Sequence, residues 1–318
     1  MSHLTVKKIK GKRYAYLVKS IRLPDGSVGK ISKMVKEKKS VASLEKRYSD
    51  YFTEKEKEFA ANWAIRKYGT DIVFTEEQIK KLELIKVGYR HLLKKFRKEQ
   101  MKDALDRFIV NFTYESNALE GNSLTLKDVA IVIFEKVHAK GKSLREIYEA
   151  RNSRVVLDKI FSKKFKINHE SIIRMHRLLM RDIDTRAGYK QIPNFLLGKR
   201  LETTPPEKVY SEMTNLINWY DQNIEKSHPL KVASVFHSNF EKIHPFEDGN
   251  GRVGRFLVNT ILVNNGYPPL IVRKTSRTAY FSCLEAADNG HYNKIERFFI
   301  EKFKKTYKNF FDVYSGYI

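Results

Sequence analysis

Apolar residues recur at helical spacing through nearly the whole chain after residue 40, and this period constrains the fold more than any other feature. It predicts helices over about 41–67, 75–97, 101–117, 125–137, 143–161, 168–180, 206–226, 230–243, 250–265, 277–289 and 291–313. The run Phe256-Leu-Val-Asn-Thr-Ile-Leu-Val263 reads as a buried helix, and Tyr48, Tyr51, Phe52, Phe59 and Trp63 as a core stripe. The first forty residues break the pattern. Val6 to Arg22 and Gly29 to Val35, joined by Leu-Pro-Asp-Gly at 23–26, alternate with Tyr14, Tyr16 and Val18 and predict a β-hairpin. The chain is therefore expected to be mainly α with a basic β element at its start.

Just before the buried helix stands His244-Pro-Phe-Glu-Asp-Gly-Asn-Gly-Arg-Val-Gly-Arg255. Asn250 to Gly254 should form the first helical turn, where unpaired N–H groups and the positive end of the dipole favour an anion. Gly249 and Gly251 permit a backbone path and a close phosphate approach that a Cβ would block. Asn250 adds a side-chain donor. Asp248 supplies hard oxygen for a Mg²⁺ that arrives on phosphate oxygens. His244 titrates near neutrality and can take a proton from an attacking hydroxyl. Arg252 and Arg255 share a helix face and suit phosphate oxygens. Pro245 and Phe246 read as a rigid turn and an apolar anchor. Each residue type alone is ordinary; it is their conjunction that points to nucleotide chemistry.

This stretch, preceded by His237-x-x-Phe240-x-x-Ile243, resembles the Fic family signature HPFx[DE]GNGRxxR, with every fixed position filled. The resemblance spans about 100–300 and implies a Fic-type helical bundle that transfers AMP from ATP, with Mg²⁺, to a hydroxyl side chain of a target protein. It implies that His244 is the general base, Asp248 the Mg²⁺ ligand, Gly249, Asn250 and Gly251 the phosphate cradle, and Arg252 and Arg255 phosphate clamps. Glycine at 251, where Doc-type kinases carry lysine, favours nucleotidyl transfer over phosphorylation. The implied organisation is a basic β-hairpin over 1–40, a helical lead-in over 41–100 and a Fic domain over 101–318 with an inhibitory helix and a C-terminal helix.

Upstream, Ser116-Asn-Ala-Leu-Glu120-Gly121 reads by itself as a helix end capped by Gly121. In a Fic-like chain it resembles the inhibitory motif, so Ser116 and Glu120 are expected to engage Arg255, because one guanidinium cannot serve a carboxylate and a phosphate fully at once. In some relatives the same glutamate removes AMP, and the sequence leaves both directions open. Arg186-Ala-Gly-Tyr-Lys-Gln-Ile-Pro-Asn-Phe-Leu-Leu-Gly198, followed by Thr203-Thr-Pro-Pro206, reads as a loop or hairpin between helices. The resemblance makes it a β-hairpin flap in which Gln191, Ile192, Pro193 and Asn194 hold the target backbone by strand addition. The resemblance places Tyr280 near the nucleoside, although Phe281 and Asp288 depart from the family's usual tyrosine pair and asparagine, and Tyr280 and Phe281 read equally as core residues. The base preference is left open.

The formal net charge is +24, and twelve of the first forty residues are lysine or arginine. Acidic partners follow from this. Basic side chains with tyrosines on a small β element could bind nucleic acid, and a nucleic-acid-binding regulator with a nucleotide-sensing core is the alternative to an enzyme; a lysine-coated solvated hairpin is the plainer reading. A single cysteine, Cys283, excludes an intramolecular disulfide. Without an apolar leader or a run of membrane-spanning length, the expected location is cytoplasmic. Homodimerisation is an expectation by analogy. Ala139-Lys-Gly-Lys-Ser143 lacks the leading glycine of a P-loop, which is Lys136 here, and His237, Glu241 and His244 lack a zinc spacing.

Overall fold

The alternating N-terminal segment forms three strands where the sequence predicts two. β1 (Ser2–Ile9), β2 (Lys12–Arg22) and β3 (Val28–Val35) pair antiparallel in that order. The strand expected from Val6 to Arg22 is interrupted at Lys10 and Gly11, whose φ angles of 48° and 78° make a tight two-residue reversal. Lysine rarely adopts a left-handed conformation, so Lys-Gly carried no strong turn signal. The structure is a computed structural model that describes residues 2–23, 26–37, 39–135, 141–186, 188–194 and 203–317. Pro24 and Asp25 of the second turn lie outside the described residues.

Two compact units divide the chain, Met1–Gly88 and Tyr89–Ile318. In the first, Leu17, Ile21, Ile31 and Val35 project from one sheet face onto Leu44 and Phe52. These come from α1 (Val41–Arg47) and α2 (Ser49–Tyr68). The predicted helix 41–67 is thus two helices, parted at Tyr48 (φ −104°, ψ 18°). Ser40 caps the first by accepting from the Ser43 N–H. Tyr48, Tyr51 and Phe59 join this core and Trp63 is buried, so the aromatic stripe is packing surface.

α3 (Glu76–Lys95) carries the chain into the second unit. There follow α4 (Lys98–Leu119), α5 (Leu126–Ala130), α6 (Leu144–Phe161), α7 (His169–Leu179), α8 (Pro206–Asn223), α9 (Pro229–Ile243), α10 (Asn250–Asn264), α11 (Arg277–Asp288) and α12 (Asn293–Phe310). The mainly helical expectation holds. Where a helix over 125–137 is predicted, α5 gives way to a π turn at Ile131–Glu135, and 136–140 lie outside the described residues. Ser143 caps α6 through the Glu146 N–H, which gives it a structural task.

α10 runs through the centre of this unit, packed by α4, α6, α7 and α9, while α8, α11 and α12 pack on α9. Its residues from Arg252 to Val263 are all buried. Phe256 meets Phe112 of α4 edge-on at 4.9 Å, and burying such a ring contributes about 1.5–3 kcal/mol. α4 ends in a Schellman turn: Asn122 N–H donates to Asn117 O (3.1 Å) and Gly121 N–H to Ala118 O (3.2 Å), with Gly121 at φ 94°. A helix locked at both ends by its neighbours and fully buried is a rigid base on which to mount a loop.

Candidate active site

The α9–α10 loop is built to hold one shape. α9 stops at His244, left-handed at φ 53°, ψ 60°; the helical region is disfavoured before Pro245. A non-glycine residue in this region stores strain that the surroundings must hold. They do so through Phe246, whose fully buried ring stacks parallel on His176 at 3.9 Å. Asn250 clamps the same residue: its Oδ1 accepts from Phe246 N–H (2.8 Å) and its Nδ2 donates to Phe246 O (2.7 Å). The Asn250 side chain is therefore engaged within the loop, and its backbone is what faces the cradle. The His244 Nδ1 lies 3.3 Å from the Glu241 carbonyl, which can only accept, so Nδ1 carries the proton and the lone pair sits on Nε2.

Gly249, at φ 80°, caps α10, and the Val253 N–H is the first to bond back, to Gly249 O at 2.9 Å. The N–H groups of Asn250, Gly251 and Arg252 precede that first rung, an arrangement that suits an anion. Asp248 stands at its edge. Its carboxylate accepts from Gly249 N–H (2.5 Å), lies 3.4 Å from Arg252 Nη2, and pairs with Arg145. Burial alone would raise its pKa, but Arg252 and Arg145 outweigh that and hold it below the ordinary range. Arg252 is buried, with Nη1 3.0 Å from Glu149. That contact is not aligned as a hydrogen bond, and neither Nη1 nor Nε has a hydrogen-bond partner among the described residues. A buried guanidinium left short of acceptors beside a ring of N–H groups is complementary to a phosphate.

Arg255, one helical turn on, is fully engaged. Its Nη2 donates to Glu120 Oε1 (2.7 Å) and Ser116 O (2.8 Å), and its Nε to Ser116 Oγ (3.0 Å). Burial would lower its pKa, yet the Glu120 charge raises it above the ordinary arginine range. Glu120 reaches this position because residue 251 is glycine: a Cβ there would lie 2.2 Å from Glu120 Oε1. The Glu120 side chain keeps 37% exposure, so it approaches from the solvent side. The structure thus joins Ser116 and Glu120 to a partner more than 130 residues away.

Tyr280 is placed differently. It is 1% exposed, its hydroxyl 2.6 Å from His237 Nε2, and it stacks among His237 and Phe298 in the core beneath Arg255. The described part of the expected flap is tied to the α9–α10 loop. Lys190 N–H donates to Pro245 O (2.9 Å) and Asn194 Nδ2 to Phe246 O (2.9 Å). The Lys190 ammonium, 2% exposed and pushed down to about 8 by burial, donates to Asn194 Oδ1 (2.6 Å) and Thr203 Oγ1 (2.9 Å). Gln191 donates to Tyr189 O (3.1 Å), and Ile192 is 58% exposed beside Pro193. Residues 188–194 form no strand, and Ala187 and 195–202, which include Phe195 to Gly198, lie outside the described residues.

Sequence reasoning missed Arg145, Glu149 and His176. Arg145 and Glu149 follow an ordinary helix cap at i, i+4 spacing, and nothing local announces a partner at Asp248. His176 donates or accepts at Nε2 with Asp248 O (3.0 Å) under the loop; the acceptor being a carbonyl, Nε2 donates. Burial pushes His176 down to about 4, and burial with the nearby Arg255 charge pushes His237 to about 3. Both fold neutral, whereas the unfolded chain takes up the protons near pH 6.5. Stability is therefore complete above pH 6.5 and is lost as the pH falls toward 4 and 3. His176 alone should lose about 2 kcal/mol between pH 7 and pH 5. Urea unfolding at the two pH values should show this drop, and His176→Gln should reduce it.

Among the described residues no group of three His, Cys, Asp or Glu could hold a metal alone. Asp248 fits Mg²⁺ in the other way that ion is held, by one carboxylate plus substrate phosphates and water, because it is ionised and its partner Arg145 is half-exposed.

Residues 166–262 match the Fic/DOC family model. The chain is 30% identical over 204 residues to a protein adenylyltransferase Fic of Nematostella vectensis, covering 62% of this chain and 48% of that relative. It is 30% identical over 198 residues to a protein adenylyltransferase Fic of Drosophila erecta, covering 61% and 40%. The chain thus spans about half the length, or less, of these curated relatives. Its fold is similar to that of a Fic domain containing signaling protein from Bacteroides thetaiotaomicron, with a TM-score of 0.67 and 25% identity over 74% of this chain and 98% of the other. Fic-1 from C. elegans shares the fold at a TM-score of 0.66 and 22% identity, over 76% of this chain and 74% of that one. Residues 166–262, which carry His244 to Arg255, are a domain of the Fic/DOC family.

Proposed function

We propose that this chain is a protein adenylyltransferase that uses ATP and is held in check by Glu120. The observation that carries this reading is the set of Asn250, Gly251 and Arg252 N–H groups beside the incompletely satisfied Arg252, with His244 ending the helix that leads into the same loop. The hydroxyl oxygen of a target Ser, Thr or Tyr attacks the α-phosphorus of ATP. The new bond is O–P; the bond between the α-phosphorus and its bridging oxygen breaks, pyrophosphate leaves with the electron pair, and the hydroxyl proton passes to His244 Nε2. Gly249 to Arg252 and the Arg252 guanidinium orient the phosphates, and positioning with charge neutralisation supplies most of the rate enhancement. Mg²⁺ would be held by Asp248, which now pairs with Arg145, together with the nucleotide, and would neutralise phosphate charge.

The target backbone lies along Gln191 to Asn194, where Lys190 and Asn194 fix the loop to Pro245 and Phe246 beside His244. Support for the adenylyl direction comes from Gly251, where a lysine could not coexist with Glu120 in its observed place. The test is transfer to protein of label from α-labelled and γ-labelled ATP with the Glu120→Gly chain and a cell lysate. Label from the α position alone is expected. Transfer from the γ position, or from neither while ATP binds, would overturn the assignment.

A further inference from the structure

We propose that the outer face of the N-terminal sheet is a binding surface for duplex DNA. The alternation and register that turn Leu17, Ile21, Ile31 and Val35 onto α1 and α2 place Lys7, Lys12, Tyr14, Tyr16, Arg22 and Lys30 together on the opposite face. All four cations are exposed. Among the described residues Lys12, Arg22 and Lys30 have no carboxylate partner, whereas Lys19 on the inner face pairs with Glu56 and Arg47 with Glu37. Protection of an edge strand accounts for Lys7 and Lys30, which lie on β1 and β3, but Lys12 and Arg22 belong to the central strand, where each has a paired neighbour on one side, Ile9 and Val28. A cationic face of this kind wants a polyanion.

Geometry selects the duplex among polyanions. Two inter-strand spacings make the sheet about 10 Å across, within the roughly 12 Å of a major groove, and strands are known to enter it. The cations form two ends: Lys7 and Lys12 at one, Arg22 and Lys30 at the other, about 33 Å apart along β2, close to ten base-pair steps of about 3.4 Å. A single strand would instead need open aromatic faces for stacking. Here the Lys7 ammonium sits over the Tyr16 ring at 5.1 Å and covers one of the two.

The experiment is fluorescence anisotropy of the full chain with a labelled 20-base-pair duplex over a salt series, beside the same single strand and anionic phospholipid vesicles. With four phosphates neutralised, log K should fall with log salt at a slope of about −3.6, and Lys12→Ala/Arg22→Ala/Lys30→Ala should flatten it by about 2.7. The charge-preserving Lys12→Arg/Arg22→Lys/Lys30→Arg should bind as the parent does, and removal of the equally basic Lys94, Lys95 and Lys98 should change little. If the triple alanine chain proves unstable, Lys12→Gln/Lys30→Gln should flatten the slope by about 1.8. Tighter binding of the single strand or of vesicles, equal weakening by the Lys94 set, or an unchanged slope in the alanine chain would overturn the proposal.

Discussion

Glu120→Gly should raise ATP affinity and turn weak adenylyl transfer into strong transfer, and it should do so while lowering the stability of the nucleotide-free protein. Both effects come from Arg255. With Glu120 gone, the guanidinium keeps Ser116 Oγ and Ser116 O but loses the carboxylate bonded to it, and it is buried. Removing a single partner from a buried charge is costly; the half-open position of Glu120 and the two remaining acceptors limit the loss to about 1–2 kcal/mol. A phosphate oxygen then restores what the carboxylate gave. Saturating ATP at about a hundred times its dissociation constant should recover about 2.7 kcal/mol by mass action. Thermal unfolding with and without ATP, run beside nucleotide titration, tests the switch directly: a Glu120→Gly chain with unchanged affinity and unchanged melting temperature would show that Arg255 is not the point of competition.

In that released background, His244→Ala should cost about 100- to 10,000-fold in transfer, the range for loss of a positioned general base, and leave ATP affinity within about twofold. The split between rate and binding matters because His244 also terminates α9 in a left-handed conformation. Alanine tolerates that conformation poorly, and part of any loss could be conformational. His244→Asn separates the two, since asparagine accepts left-handed geometry but cannot serve as a base near neutrality. Equal loss in both variants, with ATP binding kept, assigns the loss to proton transfer. Activity retained by the asparagine chain would remove His244 from the chemistry.

The fold was legible because its signal is periodic and local. Helix bounds from sequence fall within a few residues of those observed for α3, α4 and α6 to α12, since long amphipathic segments with caps such as Ser143 and Asn168 announce themselves. The errors lie where a single residue bends the chain: Lys10, a poor candidate for positive φ, and Tyr48, an ordinary helix former. The site divides the same way. His244 to Arg255 are contiguous and could be found together. Ser116 and Glu120 could be tied to Arg255 only through a family resemblance, because no local chemistry links positions so far apart. Arg145, Glu149 and His176 gave no sign, and Tyr280, expected near the nucleoside or as a core residue, is buried with its hydroxyl on His237.

The hydrogen at position 251 makes the proposed brake fragile in a particular way. Every charge that holds Glu120 could survive a change there, yet any side chain would occupy the space of the carboxylate. Because the displaced atom is the tip of a flexible, half-exposed side chain, the chain would yield by releasing it rather than by unfolding. The inhibition proposed above would thus be lost through a neutral substitution that leaves both ionic partners in the gene, and a survey that looks only at glutamate and arginine would count such a protein as restrained. Lineages that keep the restraint must keep two things that look unrelated in sequence, a carboxylate on one helix and an absence on another.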